Sequence, residues 1–245
     1  MLLRRVTEHV KAQNWFAVGI DLTVVVFGVY IGMQAGDWQQ HAQDREEEIE
    51  YLQRILEDLD ESIRLQEYSD DFQQTSVDEI DWIISILDAG EIPPNKEVEL
   101  GKQLYEIGRT NPLRYRFAAA EEMIATGKLG LIQDTKLRSA VGSLPDVARQ
   151  TQALAYKPDR QNDRFIGHIF KYVGRKPLAD GEFVYEYDPD RILHDPELRN
   201  AILVVRNMTA AVRSFSVLFT GILVETREEV RNALHHLTGD KEPNT

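Results

Sequence analysis

The chain has 245 residues and a formal net charge of −13, with 41 Asp and Glu residues against 28 Lys and Arg residues, and it contains no cysteine. An acidic chain of this kind lacks the basic face that nucleic-acid binding requires, so no nucleic-acid partner is expected. The absence of cysteine excludes a disulfide framework, a thiolate metal site and a cysteine nucleophile.

The N-terminal segment 1–14 reads MLLRRVTEHVKAQN. Its apolar residues Leu2, Leu3, Val6 and Val10 fall on one side of a helix. This pattern predicts a short amphipathic helix that lies on the cytoplasmic surface of a membrane.

The next segment, Phe16–Gly36, reads FAVGIDLTVVVFGVYIGMQAG and carries one formal charge, Asp21. A helix needs about 20 apolar residues to cross the hydrocarbon core. Trp15 and Trp38 bracket the segment roughly 34 Å apart on a helix, so both indoles can lie at membrane interfaces. We therefore predict a transmembrane helix over 15–38. A cleaved signal peptide is disfavoured, because the apolar run is too long and no small-residue cleavage site follows it.

Charges on the two sides of this segment predict its orientation. Arg4, Arg5 and Lys11 precede it with only Glu8 opposing, whereas nine acidic and two basic residues lie between Asp44 and Glu61. Since basic residues mark the cytoplasmic side, the N-terminus is expected in the cytoplasm. In a bacterium this gives an inner-membrane protein whose residues 39–238 form a periplasmic helical domain.

Small residues in the predicted transmembrane helix indicate a contact surface. Gly28, Gly32 and Gly36 are spaced i, i+4, i+8, which lets two helices approach closely in lipid. Asp21 falls on nearly the same side. Three interpretations of Asp21 stay open: a structural residue that reaches headgroups or water, a buried group of raised pKa on a proton or ion path in an oligomer, or a contact to a different membrane protein. The expected partners are the lipid bilayer and either a second copy or a partner membrane protein.

A heptad-like seam follows the membrane exit, with apolar residues spaced 3, 4, 3, 4. The seam consists of Ile49, Leu52, Leu56, Leu59 and Ile63. Either this helix packs into its own domain, or it forms a short parallel coiled coil that extends the anchor of an oligomer.

The remaining pattern predicts helices near 75–89, 96–108, 117–127, 134–154, 159–173 and 196–237, a small hairpin arm around Phe183–Tyr187, and a disordered tail over 239–245. Asp195 is the expected N-cap of the last helix, with Pro196 in its first position. The apolar stretch Phe215–Val224 is too short to span a bilayer and is expected in a core. The predicted class is all-α: a transmembrane helix that continues into a long helix, followed by an antiparallel helical bundle.

Catalytic patterns are not found in the sequence. It contains no glycine-rich phosphate loop, no HExxH, no GxSxG and no Glu-x-x-His pair. Isolated candidates for chemistry are expected to be structural: Glu121, Glu122, His168, His194, Asp195, His235 and His236. A further group either forms a small anion pocket or makes surface ion pairs: Arg114, Tyr115, Arg116, Arg160 and Arg164. The chain is therefore expected not to be an enzyme and to bind no cofactor or metal.

Two segments resemble a bacterial family of single-pass membrane proteins of unknown function. The first is the anchor and its exit, 21–38, where Gly36-Asp37-Trp38-Gln39 departs from the Asn-rich exit of that family. The second is 121–138, EEMIATGKLGLIQDTKLR, which is similar to the family's Ser/Thr-Gly-x-Leu-x-Leu-Ile-x-Asp-x-x-Leu-Arg pattern. The resemblance implies a single-pass membrane protein and no particular activity.

These patterns together predict a non-enzymatic inner-membrane protein with a periplasmic domain that binds or scaffolds a partner, and that associates through the glycine side of its transmembrane helix. The alternative is a subunit of a proton- or ion-coupled membrane complex that uses Asp21. That alternative rests on similarity of layout alone.

Overall fold

The computed structural model describes residues 15–109, 111, 113–179 and 181–239, and within these it leaves out the side chains of 15–21, 35 and 157–162. In chain order the elements are α1 (Trp15–Ala89), α2 (Glu97–Glu106), α3 (Ala118–Thr126), a 3-10 turn (Lys128–Leu131), α4 (Thr135–Ile169), β1 (Val173–Pro177), β2 (Phe183–Tyr187), α5 (Pro189–His194) and α6 (Pro196–Thr238). The all-α prediction is confirmed, and the expected hairpin arm is present. The predicted amphipathic segment 1–14 and the tail from 240 onward lie outside the described residues.

Two helices are longer than the sequence pattern predicts. The expected separate helix at 75–89 is the last part of α1, which runs unbroken from Trp15 to Ala89. The expected helices at 134–154 and 159–173 are one helix, α4, which contains Pro145 and Pro158 and ends at Ile169. A proline inside a helix removes one backbone hydrogen bond, and α4 continues through both prolines while it packs on α6.

Contacts divide the chain into two units, Met1–Glu50 and Tyr51–Thr245. In the second unit, two large apolar clusters and a small third one, formed by Leu113, Ala155 and Val212, make up the core. The first cluster joins α1, α3, α4 and α6 and includes Leu52, Leu59, Met123, Val141 and Phe219. The second cluster joins α1, α2, the end of α4 and the start of α6 and includes Ile83, Leu104, Ile169, Ile202 and Val205.

The expected helix ends are confirmed where they depend on neighbouring residues. The Asp195 carboxylate accepts hydrogen bonds from the backbone amides of Glu197 (2.8 Å) and Leu198 (3.3 Å), and Pro196 is the first residue of α6. Gly127 ends α3 in the left-handed conformation, with φ of 72°. Such caps satisfy amides and carbonyls that the helix itself leaves unpaired.

The β1–β2 hairpin packs on α2 at a glycine. The strands are antiparallel, with Val173 opposite Tyr187 and Pro177 opposite Phe183. A Cβ atom at Gly101 would lie 2.6 Å from the Cβ of Tyr185, and the Tyr187 hydroxyl donates a 2.7 Å hydrogen bond to the carbonyl of Glu97. Only glycine at position 101 lets the hairpin approach α2 this closely.

Candidate functional site

The predicted anchor presents apolar side chains on all sides of α1. Between 22 and 33 the large apolar residues are 57–65% exposed: Leu22, Val24, Val25, Val26, Phe27, Val29, Tyr30, Ile31 and Met33. Because these positions include three or more successive residues, they point in every direction around the helix. A continuous exposed apolar surface of this kind marks contact with a membrane or with another protein.

The glycine positions in the same segment are open. A Cβ atom added at Gly28, Gly32 or Gly36 would meet no other atom within 4 Å. Trp38 is 78% exposed at the C-terminal boundary of the predicted span. Trp15 and Asp21 belong to α1, but their side chains lie outside the described residues, so the interpretations of Asp21 stay predictions.

The predicted coiled-coil seam is occupied by the chain's own helices. Leu52, Leu59 and Ile63 are at most 4% exposed within the first apolar cluster, and Leu56 packs partly buried against it. Ile49, in the first unit, is half-buried. The contacts of Leu52, Leu56, Leu59 and Ile63 correspond to the first alternative, a helix that packs into its own domain.

The heptad pattern of α1 is longer than the predicted seam and shifted from it. Buried positions recur at spacings of three and four along the helix: Leu52, Ile55, Leu59, Ser62, Gln66, Ser69, Gln73, Ser76, Ile80, Ile83 and Leu87. Helix α6 repeats the pattern: Leu198, Ile202, Val205, Thr209, Val212, Ser216, Phe219, Leu223, Thr226 and Val230. This spacing is that of coiled-coil core positions.

Ion pairs along one edge show that α1 and α6 run in opposite directions. Four arginines of α6 pair with four aspartates of α1, at 2.6, 2.9, 3.0 and 3.6 Å respectively: Arg199–Asp88, Arg206–Asp81, Arg213–Asp70 and Arg227–Asp60. The numbering rises along α6 as it falls along α1. The first three arginines are seven residues apart, so they recur at one heptad position.

The Arg206–Asp81 pair has the best geometry of the four. Two hydrogen bonds of 2.9 Å join the guanidinium to both carboxylate oxygens. Hydrogen bonding from Arg206 lowers the pKa of the Asp81 carboxyl below its ordinary value. The stability that this bond contributes is present above the unfolded-state pKa of aspartate and is lost as the pH falls through the lowered folded-state pKa.

Between the two large apolar clusters, most core positions of α1 are polar. We call this group the polar stripe, and it consists of Ser62, Gln66, Ser69, Gln73 and Ser76. All five are at most 8% exposed. On α6, Thr209 and Ser216 are buried at the same level of the coiled coil, and the Ser216 hydroxyl donates a 3.2 Å hydrogen bond to the Gln66 amide oxygen.

The polar stripe binds the backbone of the chain between α2 and α3. The Ser62 hydroxyl donates to the carbonyl of Arg116 at 3.0 Å and accepts from the amide of Arg116 at 2.8 Å. The Gln66 side-chain amide donates to the carbonyl of Arg114, and the Ser69 hydroxyl donates to that of Asn111 at 3.4 Å. Because buried backbone groups need partners, these polar core residues have a structural role.

Asp58 caps α3 from a distant part of the chain. Its carboxylate accepts a 2.9 Å hydrogen bond from the backbone amide of Ala119 and lies 3.0 Å from the Nε of Arg116. The residue before α3, Phe117, has no side chain that can cap it. Sequence reasoning missed this contact, because the cap and the helix are 61 residues apart.

Among the acidic and tyrosine candidates, Glu122 and Tyr115 make structural contacts. Glu122 pairs with Arg54 and accepts a 2.8 Å hydrogen bond from the Tyr51 hydroxyl, and hydrogen bonding from Arg54 lowers the pKa of its carboxyl. Glu121 is exposed. Tyr115 donates a 3.0 Å hydrogen bond to the side chain of Gln152. Arg116 pairs with Asp58, which corresponds to the alternative of surface ion pairs, and Arg114 is exposed.

The histidine candidates are dispersed. His194 contacts the carbonyl of Asp190 through Nδ1 at 2.8 Å, and the rings of His235 and His236 lie 5.9 Å apart. Within the described part of the chain, no group of three or more His, Asp or Glu residues is placed to hold a metal ion. His168 lines a cleft between α4 and α6.

Of the other two arginine candidates, Arg164 lines the same cleft, and the side chain of Arg160 lies outside the described residues.

Among the described residues, one helix is long and apolar enough to cross a membrane, and this helix is α6. Of the most apolar stretch of 18 residues in α6, one third is buried. Ser216, Phe219 and Leu223 in Phe215–Val224 are at most 1% exposed. Their burial fits the expectation that this stretch belongs to a core, although Val217 and Leu218 point outward. The segment Phe16–Gly36 includes side chains that the structure does not describe, so its role as a transmembrane helix stays a prediction.

Comparison of the chain with models of known protein families, with curated proteins and with solved structures gives no match. The resemblance to a bacterial single-pass membrane family therefore stays a prediction from 21–38 and 121–138.

Proposed function

We propose that this chain is a single-pass membrane protein whose helical domain binds or scaffolds a partner without catalysing a reaction. The observation that carries the proposal is the exposed apolar surface of α1 between 22 and 33, where large side chains on all sides are 57–65% exposed. Such a surface is unfavourable in water and favourable in hydrocarbon. Trp38, which is 78% exposed, supplies an interfacial side chain at one boundary.

The orientation and compartment of the proposal follow from charge. The excess of basic residues before the segment and of acidic residues after it supports a cytoplasmic N-terminus and a periplasmic domain in a bacterial inner membrane. A reporter enzyme fused after Thr245, active only outside the cytoplasm, tests this orientation. Activity of a cytoplasm-specific reporter at the same position would contradict it.

A scaffold role is supported by the way the helical domain uses its polar residues. The arginines along α6 pair with aspartates of α1, and the polar stripe is bonded to backbone groups of the same domain. These contacts fix the relative positions of α1, α6 and the segment before α3. A helical domain held in this way suits the presentation of a surface to a partner.

The insertion of α1 is tested by an arginine at its centre. Val26 lies near the middle of 15–38 and is 57% exposed. Val26→Arg should make insertion about 3 kcal/mol less favourable, because an arginine at the centre of a helix costs this much on insertion scales. Extraction with alkaline carbonate should then release a large fraction of the protein from membranes.

Val98→Arg is the matched control, since Val98 is 72% exposed on α2, outside the predicted span. It should remain in the carbonate-resistant fraction like the unmodified chain. Equal extraction of the Val26 variant and this control would refute the anchor.

Association through the glycine positions is the second part of the proposal. Gly28, Gly32 and Gly36 have open space where a Cβ would lie, so another helix can approach their backbone. Gly32→Leu should weaken association of the chain in a mild detergent by about tenfold or more, which corresponds to about 1.4 kcal/mol. Sedimentation of the purified chain measures the change in complex mass.

Val26→Leu is the control for added volume in lipid, because Val26 lies on nearly the opposite side of α1 from Gly28. It should leave the mass of the complex unchanged. An unchanged mass for Gly32→Leu would remove the glycine positions from the interface, while the anchor itself would still be judged by carbonate extraction.

A further inference from the structure

The cleft between the end of α4 and the start of α6 has a cavity of about 430 Å³ with charges of opposite sign on its two walls. Arg164 and His168 near the end of α4 and Lys171 in the turn after it line one wall. Glu197 and Asn200 line the α6 wall. Phe165 is half-buried and adds an apolar surface.

The cations of this cleft differ from most arginines of the domain. Within the described residues, neither Arg164 nor Lys171 has an acidic partner, although the chain contains 41 acidic and 28 basic residues. By contrast, arginines along the α1–α6 edge are each paired with an aspartate. Two such cations on one wall of a cavity favour an anionic group there.

The opposite wall favours a cation. The Glu197 side chain is 80% exposed, and its carboxylate lies 4.0 Å from the Nε2 of His168, which has no hydrogen-bond partner among the described residues. The cleft also lies at the C-terminal turn of α4, where helix carbonyls favour positive charge. A ligand with an ammonium group would contact Glu197 and offer a hydrogen-bond partner to His168.

We propose that this cleft binds a small zwitterion of the α-amino-acid class with an apolar side chain. Its carboxylate pairs with Arg164 and Lys171, its ammonium pairs with Glu197, and its side chain packs on Phe165. The chemistry requires both charges on one molecule, because a plain anion leaves Glu197 beside like charge and a plain cation leaves Arg164 and Lys171 unpaired.

The test uses three probes that differ by one group each. L-phenylalanine carries both charges, 3-phenylpropionate lacks the ammonium and 2-phenylethylamine lacks the carboxylate. The full chain in lipid nanodiscs is titrated with each probe by calorimetry, and the heat of empty nanodiscs is subtracted. Phenylalanine should bind about tenfold more tightly than either analogue, since each lost charge pair corresponds to about 1.4 kcal/mol.

Two variants assign the two charges to the two walls. Glu197→Gln should weaken phenylalanine binding about tenfold and leave 3-phenylpropionate binding unchanged. Arg164→Gln should weaken phenylalanine and 3-phenylpropionate alike and leave 2-phenylethylamine unchanged. Arg149→Gln, which breaks an exposed pair with Asp146 elsewhere on α4, is the matched control and should change none of the three affinities.

Several outcomes would overturn the proposal. They are the absence of phenylalanine binding at concentrations of about 10 mM, where a Kd near 1 mM would be evident, equal affinity for all three probes, and affinities that do not change in Glu197→Gln and Arg164→Gln. Circular dichroism of each variant verifies that the domain is folded, so that a lost affinity reports on the cleft.

Discussion

Phe219→Ala is expected to lower the free energy of unfolding of the helical domain by about 3–5 kcal/mol, the range measured for fully buried aromatic residues. Phe219 is 1% exposed and lies in the first apolar cluster. Its ring is edge-on to those of Tyr115 (6.1 Å between centroids) and Phe117 (6.5 Å). The truncation therefore removes buried area and two aromatic contacts, and it leaves a cavity between α6 and the segment before α3.

Urea unfolding of the full chain in a non-ionic detergent, followed by the helical circular dichroism signal, measures this change. Leu218→Ala is the matched control, because Leu218 is next to Phe219 in the chain and is 66% exposed. Its truncation should change the free energy of unfolding by no more than about 0.5 kcal/mol. A loss below about 1 kcal/mol for the Phe219 variant would mean that the first cluster is not packed around this ring.

The features predicted correctly from sequence depend on residues that are close together in the chain. Asp195 and Pro196 identify the start of α6, and Gly127 identifies the end of α3, because capping is decided within about four residues. The hairpin strand at Phe183–Tyr187 was predicted from its alternating pattern. The helical class follows in the same way from periodicity summed along the chain.

The features that the sequence does not reveal depend on contacts between residues that are distant in the chain. The heptads of α1 continue through Ser62, Gln66 and Ser69, whose hydrogen-bond partners lie 42–54 residues away. An apolar pattern stops at such residues, so it predicts a divided helix and a seam limited to Ile49–Ile63. Following the spacing of three and four through serine and glutamine would have revealed the longer repeat.

The membrane segment stays a prediction, and the sequence alone can make it because a bilayer imposes a local rule, a minimum apolar length. The cleft at Arg164, His168 and Glu197 was predicted only in part. The sequence pattern predicts Arg164 in an anion pocket, but it groups this residue with Arg114 and Arg116, neither of which lines the cleft. The acidic wall comes from α6, and no local pattern indicates which helices will pack side by side.

Asp58→Ala is expected to lower the free energy of unfolding by about 2–3 kcal/mol, because it leaves the buried amide of Ala119 without its acceptor. The Asp58 side chain is 8% exposed, whereas that of its ionic partner Arg116 is 66% exposed. Water therefore solvates Arg116 when the carboxylate is lost, and most of the expected effect comes from the uncapped end of α3.

Asp60→Ala is the matched control on the same helix. Asp60 is 52% exposed and lies 3.6 Å from Arg227, so its loss should cost about 0–1 kcal/mol. Hydrogen exchange separates the cap from general destabilisation: under native conditions the Ala119 amide should exchange faster in Asp58→Ala and not in Asp60→Ala. Asp58→Asn keeps an acceptor oxygen without the charge, so it should restore slow exchange at Ala119. If Asp58→Asn exchanges as fast as Asp58→Ala, the charge rather than the hydrogen bond holds α3 to α1.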